Sequence, residues 1–273
     1  MNRISRTMLI AALLASAIQL NAQTRATIVS YDVEQAMRSG YGCWSHVYNG
    51  TIADIGRTVT AGISLGARVS CTPDGNQIAN YTRGSGTLND GLISTTMDGD
   101  ELFFFGNADD GQPVRPVITL HLNMMMFIKS IRILSGEMPT NFIPFILTGA
   151  TVDVSSTSVA LSASSFNGDG TDHLLSLVET PLASVPTNEV SLHDFHTHFE
   201  DFEDPEFSIT EIIVEGDPVV LAVNIDVRPN AKKNLIISRS QGLIPVAILS
   251  SPTLDAPSVI NAASLQFGRT GEE

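Results

Sequence analysis

The segment from His193 to Asp204, HDFHTHFEDFED, holds three histidines and five carboxylates. Alternate side chains of an extended strand project to one face, so His196 and His198 would lie together, with His193 or Glu200 completing a zinc site. The alternative interpretation is a solvated connection before the last strand, with its phenylalanines packed inward. We favour the connection, because the sequence has no HExxH arrangement to supply a general base.

Two further polar patterns have a simpler structural interpretation. Asn167, Asp169 and Asp172 in NGDGTD resemble half of a calcium loop, but the twelfth position of such a loop is Val178 instead of glutamate. A hairpin turn explains this segment better. The chain also lacks a Gly-x-Ser-x-Gly nucleophile elbow, and the adjacent pair Asp109–Asp110 points its carboxylates apart. We therefore expect no enzymatic activity.

The first 22 residues have the pattern of a secretory signal peptide. Arg3 and Arg6 precede the apolar run from Met8 to Leu14, and small residues follow at 15–17 and again at Ala22. The run is shorter than the ~20 residues that cross a membrane, and no later stretch reaches that length. We expect an exported protein without a membrane span.

Acidic residues dominate the charge of the chain. The formal net charge is −14, and removal of residues 1–22 takes away two arginines and no acids, which makes it −16. Nucleic acid is therefore not an expected partner, since phosphate binding needs clustered lysine and arginine. The acidic excess suits solubility, and it also offers oxygen ligands for calcium.

The chain has two cysteines, Cys43 and Cys71. In an exported protein a disulfide between them is the default expectation. Two buried free thiols are the alternative.

Short β-rich runs bounded by Gly, Pro, Asn and Asp recur after the signal segment, and none keeps helical spacing over three turns. Apolar and polar residues alternate in ITLHL and SIRIL, as in strands with one face on a core. The pattern predicts an all-β protein built as a sandwich of antiparallel sheets. The expected strands are 116–122, 129–134, 150–154, 158–163, 174–178, 189–195 and 208–215.

The composition shifts at EGDPVV, which predicts one domain over 23–216 and a second β-rich module over 217–273. The second stretch is short for an independent sandwich. We expect it to be a fragment of a longer module, or to dock on the first domain.

Several motifs occur in an order that resembles the discoidin-like, coagulation-factor type C family of galactose-binding-like domains. They are ANYTRGSGTLNDGLISTTM, PVITLHL, KSIRILSG and SITEIIVEG, spread over about residues 28–216. The family's Trp and Asn near its DG loop are here Met97 and Leu92. The resemblance implies a jelly-roll sandwich with a structural calcium, held by Asp90, Thr95 and Glu211. The alternative is that NDG is only a turn and that Glu211 faces solvent.

Residues 223–271 resemble a recurrent module of bacterial secreted proteins, through IPVAILS and FGRTG. Members of that module continue beyond the FGRTG position, which is the basis for expecting a fragment. The resemblance implies an exported protein and assigns no activity to the module.

Domains of the galactose-binding-like class commonly hold sugars on loops at one end of the sandwich. The resemblance therefore directs attention to Tyr41, Trp44 and His46, and to Tyr81 and Arg83 just ahead of the DG loop. Aromatic rings offer faces for stacking on sugars, and arginine offers fixed donors. The alternative is that the aromatic residues belong to the core.

The sequence thus predicts a secreted, non-enzymatic binding or adhesion module for carbohydrate or another surface ligand. Two other functions remain open at this point. One is a secreted zinc hydrolase built on the histidine segment, and the other is a structural surface protein without a ligand.

Overall fold

The computed structural model describes residues 23–38, 46–59, 76–92, 101–104, 106–135, 147–165, 172–197, 207–219, 223–227, 229, 246–251 and 255–260. The chain divides into two compact units, one up to Val219 and one from Val220. The cysteines Cys43 and Cys71 lie outside the described residues, so their predicted disulfide stays a prediction.

Within the described residues, the first unit contains antiparallel strands and one short 3-10 helix at Pro181–Ser184. Every strand pairing described in it is antiparallel, which confirms the predicted all-β class. The strands are β1 Thr24–Arg25, β2 Ile28–Met37, β3 Thr51–Val59, β4 Asn76–Gly84, β5 Leu102–Phe104, β6 Val117–Leu134, β7 Leu147–Val154, β8 Thr157–Ser165, β9 Asp172–Ser176, β10 Pro186–Thr197, β11 Phe207–Ile209 and β12 Glu211–Pro218.

Strand β6 is the central element of this unit, with 18 residues. Its first half pairs with β2 and β10, and its second half pairs with β9 and β12. The sequence predicted two strands here, 116–122 and 129–134. They form one continuous strand, because the segment between them, NMMMFI, contains no glycine or proline to interrupt the extended backbone.

The strand pairings form a closed circuit that begins and ends at β6. From β6 they run through β10, β7, β8 and β9 back to β6, while β2, β4 and β3 continue from its other edge. Alternate residues of these strands are buried in one apolar cluster. In β6, for example, Ile118 and Leu120 are buried, whereas Thr119 and His121 are half-buried on the opposite face. This arrangement confirms the predicted antiparallel β-sandwich.

Strands β2, β3 and β4 were not among the expected strands. Their pairings contain register shifts, one of them between Val33 and Ala36 of β2. Gln35, at this shift, has a φ of 57°. A bulge inserts one extra residue, so the inward-facing positions change from odd to even numbers or the reverse. The sequence of such a strand therefore does not alternate strictly between apolar and polar residues.

The second unit contains a two-stranded antiparallel pair, β13 Asn224–Val227 with β14 Val246–Leu249, and the short helix α1 Ala256–Val259. The β-rich segments NLIIS and SLQFG of the predicted second module lie outside the described residues. Among the residues that the structure describes, no helix is long and apolar enough to cross a membrane.

Candidate functional site

The loop of residues 86–92, which follows β4 and contains the DG motif, is closed by the side chain of Asn89. Its Oδ1 accepts a hydrogen bond from the Gly86 N–H at 2.8 Å, and its Nδ2 donates to the Ile28 carbonyl at 2.7 Å. The side chain of Asn89 therefore closes the turn and also hydrogen-bonds the turn to β2. This accounts for an asparagine immediately before the DG pair.

Two further contacts fasten the same loop to other parts of the first unit. The Thr87 N–H donates to the Val47 carbonyl at 3.0 Å, and the Ile212 N–H donates to the Leu88 carbonyl at 3.0 Å. Leu88 itself is fully buried. The loop is thus attached to the segment before β3, to β2 and to the last strand of the sandwich.

Glu211, at the start of β12, lies beneath this loop with only 2% of its side chain exposed. Its Oε2 accepts a hydrogen bond from the Gly91 N–H at 3.1 Å, and its Oε1 lies 3.0 Å from Arg25 Nη2. Burial raises the pKa of Glu211 to about 7, and the charge of Asp90 also raises it, against the lowering effects of Gly91 and Arg25. The predicted solvent-facing alternative for Glu211 is wrong. We call Glu211, Arg25, Asp90 and Gly91 the Glu211 site.

Asp90 is exposed, and its Oδ1 accepts a hydrogen bond from the Leu92 N–H at 2.8 Å. Gly91, between them, has a φ of 80°, a conformation that glycine adopts without steric cost. The third predicted calcium ligand, Thr95, lies outside the described residues. Within the described part of the chain, no three His, Cys, Asp or Glu side chains converge as a metal site.

The donor chemistry of the Glu211 site nevertheless suits a hard cation. It brings together two carboxylates, one of them buried, and calcium takes oxygen ligands that include backbone carbonyls. Burial is the main cause of the raised pKa of Glu211 and the negative charge of Asp90 adds to it, so a cation near these groups would be stabilising. The calcium expectation stays a prediction.

Two of the residues considered for ligand binding lie in the core instead. Tyr81 has none of its surface exposed and donates its hydroxyl hydrogen to the Met37 carbonyl at 2.7 Å. His46 is buried against it, and the ring of Tyr48 packs edge-on at 5.0 Å. Tyr81 lies on the inward face of β4, so it cannot serve as an open stacking platform. Tyr41 and Trp44 lie outside the described residues.

Arg83 is exposed and remains a candidate ligand contact. Its φ is 59°, and its N–H donates to Asp32 Oδ1 at 2.6 Å, so a side chain of β2 holds the backbone in this conformation. A left-handed conformation at a non-glycine residue costs about 1–2 kcal/mol, which such a contact offsets. The arginine side chain thus extends to solvent from a hydrogen-bonded backbone, immediately before the 86–92 loop.

Exposed apolar side chains also flank this loop, although no sequence motif indicated them as ligand contacts. Leu92 is 71% exposed at its end, Val47 is exposed beside Thr87, and Val29 is exposed next to Ile28. We call Arg83, Asp90, Leu92, Val47 and Val29 the loop surface. Leu92 carried one signal in the sequence, since it stands where the discoidin-like family usually has asparagine.

The histidine segment begins inside β10. Asp194 has a φ of 46° and bulges the strand, so His193 and His196 both lie outside the core although they are three residues apart. His193 Nδ1 and Nε2 lie 3.0 Å from Asp194 and from Asp153, respectively. Carboxylates on opposite edges of one ring do not converge on a common ion. His198 and Glu200 lie outside the described residues.

A second histidine ring on the same sheet also lies between two carboxylates. His121 of β6 lies 3.3 Å from Asp32 of β2 and 3.1 Å from Glu189 of β10. These side chains connect three neighbouring strands on the outward face. Because they are far apart in sequence, no local motif identified them.

No protein-family model matches the chain, and no curated protein does. Several solved structures resemble it. The family 32 carbohydrate-binding module of Clostridium perfringens NanJ in complex with galactose has a TM-score of 0.31 and 11% identity, over 47% of this chain and 82% of that one. The C-terminal domain of a Bacteroides fragilis chitobiase has a TM-score of 0.34 and 12% identity, over 72% and 100%.

A third structure, CpGH89CBM32-5 from Clostridium perfringens in complex with GalNAc-β-1,3-galactose, has a TM-score of 0.32 and 13% identity, over 61% of this chain and 94% of that one. These solved structures include family 32 carbohydrate-binding modules, which are of the discoidin-like, galactose-binding-like class that the sequence motifs resemble.

Proposed function

We propose that this chain is an exported, non-enzymatic module that binds a carbohydrate or another polar surface ligand on the loop surface. One observation carries the proposal. The exposed Arg83 and Leu92 flank a loop that backbone and side-chain hydrogen bonds attach to three other elements. Sugars combine hydroxyl groups with apolar C–H faces, and this surface combines guanidinium donors with apolar side chains.

A glycan array followed by calorimetric titration tests this proposal. Arg83→Ala and Leu92→Ala should each weaken binding of an array-positive glycan by about tenfold, the loss of one charge-assisted or well-packed contact. Arg115→Ala and Val178→Ala are matched controls, since both side chains are exposed and neither belongs to the loop surface. A protein that binds no glycan on the array would favour the alternative of a structural surface protein without a ligand.

We propose further that calcium binds between the DG loop and the last strand. Asp90 and Glu211 would supply carboxylate oxygens, and Thr95 follows them in the resemblance to the discoidin-like family. The support is the raised pKa of a buried glutamate beside a second carboxylate. Bound calcium would supply positive charge that holds the loop against β12.

Thermal melts with and without metal test the calcium proposal. EDTA should lower the melting temperature, and calcium should restore it, in the parent protein but not in Glu211→Gln. Elemental analysis addresses the competing zinc hydrolase. Stoichiometric zinc that is lost in His196→Ala would replace the calcium proposal with a zinc site.

We also propose that the protein is exported, because residues 1–22 have the pattern of a signal peptide. Amino-terminal sequencing of protein recovered from outside the cytoplasm should begin near Gln23. Recovery of the whole protein from the cytoplasm, with Met1 retained, would contradict it.

A further inference from the structure

Arg25 reaches Glu211 from a neighbouring strand. Strand β1 pairs with β12 so that Arg25 lies opposite Glu215, and the Ala26 N–H donates to the Val214 carbonyl at 2.9 Å. From this position the guanidinium extends along β12 until Nη2 lies 3.0 Å from Glu211 Oε1. The side chain of Arg25 is 54% exposed and that of Glu211 only 2%, so a surface cation neutralises a buried carboxylate.

A buried ionised carboxylate without a nearby positive charge is strongly destabilising. Among the described residues, Arg25 is the cation that forms an ion pair with Glu211. The other carboxylate oxygen accepts the Gly91 N–H, which holds the DG loop in place. The ion pair therefore supports the loop through the carboxylate that both groups share.

We propose that Arg25 is an internal counter-cation of Glu211. It keeps Glu211 in contact with Gly91 in the calcium-free protein, and it competes with calcium for Glu211 Oε1. The second part rests on the proposed calcium site, whereas the first part holds without it. Calcium binding then replaces the Arg25 guanidinium with a calcium ion at Glu211. The loop therefore stays in position in the calcium-free and the calcium-bound protein. Calcium binds less tightly than it would without Arg25, because it must displace the guanidinium.

The test compares Arg25→Gln with the parent protein, first in EDTA. Arg25→Gln should lower the melting temperature by about 5 °C or more, as loss of a partner from a buried carboxylate does. Arg115→Gln removes an exposed arginine elsewhere and should leave the melting temperature unchanged. In a Glu211→Gln background, Arg25→Gln should have no further effect, because the interaction it removes is already absent.

Calorimetric titration with calcium tests the competition. Arg25→Gln should bind calcium about three- to tenfold more tightly than the parent, and Arg25→Lys should lie between them, since lysine keeps the charge without the planar guanidinium. Equal melting temperatures of Arg25→Gln and the parent in EDTA would overturn the counter-cation.

Equal calcium affinities would overturn the competition. Absence of calcium binding in every variant would overturn both the competition and the proposed calcium site, while the melts in EDTA would still decide whether Arg25 is the counter-cation of Glu211.

Discussion

The Nε2 atom of His46 lies 2.8 Å from the hydroxyl oxygen of Tyr81, in the interior of the first unit. The hydroxyl donates its hydrogen to the Met37 carbonyl, so its lone pairs are left to accept from the imidazole. This contact joins the segment before β3 to strands β2 and β4. Two residues selected for ligand binding therefore act as part of the core.

Tyr81→Phe should reduce the free energy of unfolding by about 1–3 kcal/mol, because the buried Met37 carbonyl loses this donor. Urea denaturation measures the change. Ligand affinity should stay at the parent value, since Tyr81 has no exposed surface. Arg83→Ala should show the opposite behaviour, with weaker binding and little change in stability. Weaker binding by Tyr81→Phe at unchanged stability would put Tyr81 in the ligand site after all.

The contribution of Glu211 to the stability of the calcium-free protein should decrease as pH rises. The pKa of Glu211 is raised from 4.5 to about 7 by burial, so the folded state binds a proton more tightly than the unfolded chain. This stabilisation is fully present below about pH 4.5 and is lost as pH approaches 7, by about 3 kcal/mol at most.

Urea denaturation in EDTA at several pH values measures this dependence. Glu211→Gln should flatten it, whereas Glu179→Gln, which removes an exposed carboxylate, should not. Saturating calcium should oppose the decrease, since it favours the ionised carboxylate. A Glu211→Gln protein that keeps the full pH dependence would assign it to other groups.

Arg132 of β6 and Asp172 of β9 form an ion pair in which the aspartate side chain is 1% exposed and the arginine 26%. Arg132→Met should lower the free energy of unfolding by about 3–5 kcal/mol, because it leaves a buried carboxylate without this partner. The double variant Arg132→Met with Asp172→Leu should regain part of that loss. Chemical denaturation of the parent, of the single variants Arg132→Met and Asp172→Leu, and of the double variant gives the coupling between the two residues. Purely additive effects would contradict the proposed pairing.

Gly216→Ala should destabilise the junction between β12 and β6. A Cβ atom at Gly216 would lie 2.2 Å from the Phe127 carbonyl oxygen and 2.9 Å from Ile128 Cα, at a register shift where two backbones approach closely. We expect a loss of about 2 kcal/mol or more. Gly111→Ala is the control, since its Cβ would enter open space and only its φ of 71° opposes the change, at about 1 kcal/mol. A smaller loss for Gly216 than for Gly111 would contradict the close approach.

Much of the fold follows from local sequence patterns. The alternation of apolar and polar residues predicted strands at positions now found in β6, β7, β8 and β10, because those strands have one buried face. The same reasoning failed for β2 to β4, where bulges at Gln35 and at other positions shift the parity. It also divided β6 in two, since composition alone did not show that the methionine segment continues the strand.

The sequence by itself determined the all-β class and the DG turn at Asp90–Gly91, because alternation and turn chemistry are local properties. Only the tertiary structure decided that Tyr81 faces inward and that Arg25 pairs with Glu211, 186 residues away. The direction of a side chain depends on the bulges before it, and an ion pair between distant residues depends on the path of the whole chain. The direction of Tyr81 is set by the pairing of β4 with β2 and β3, and the ion pair is set when β1 pairs with β12.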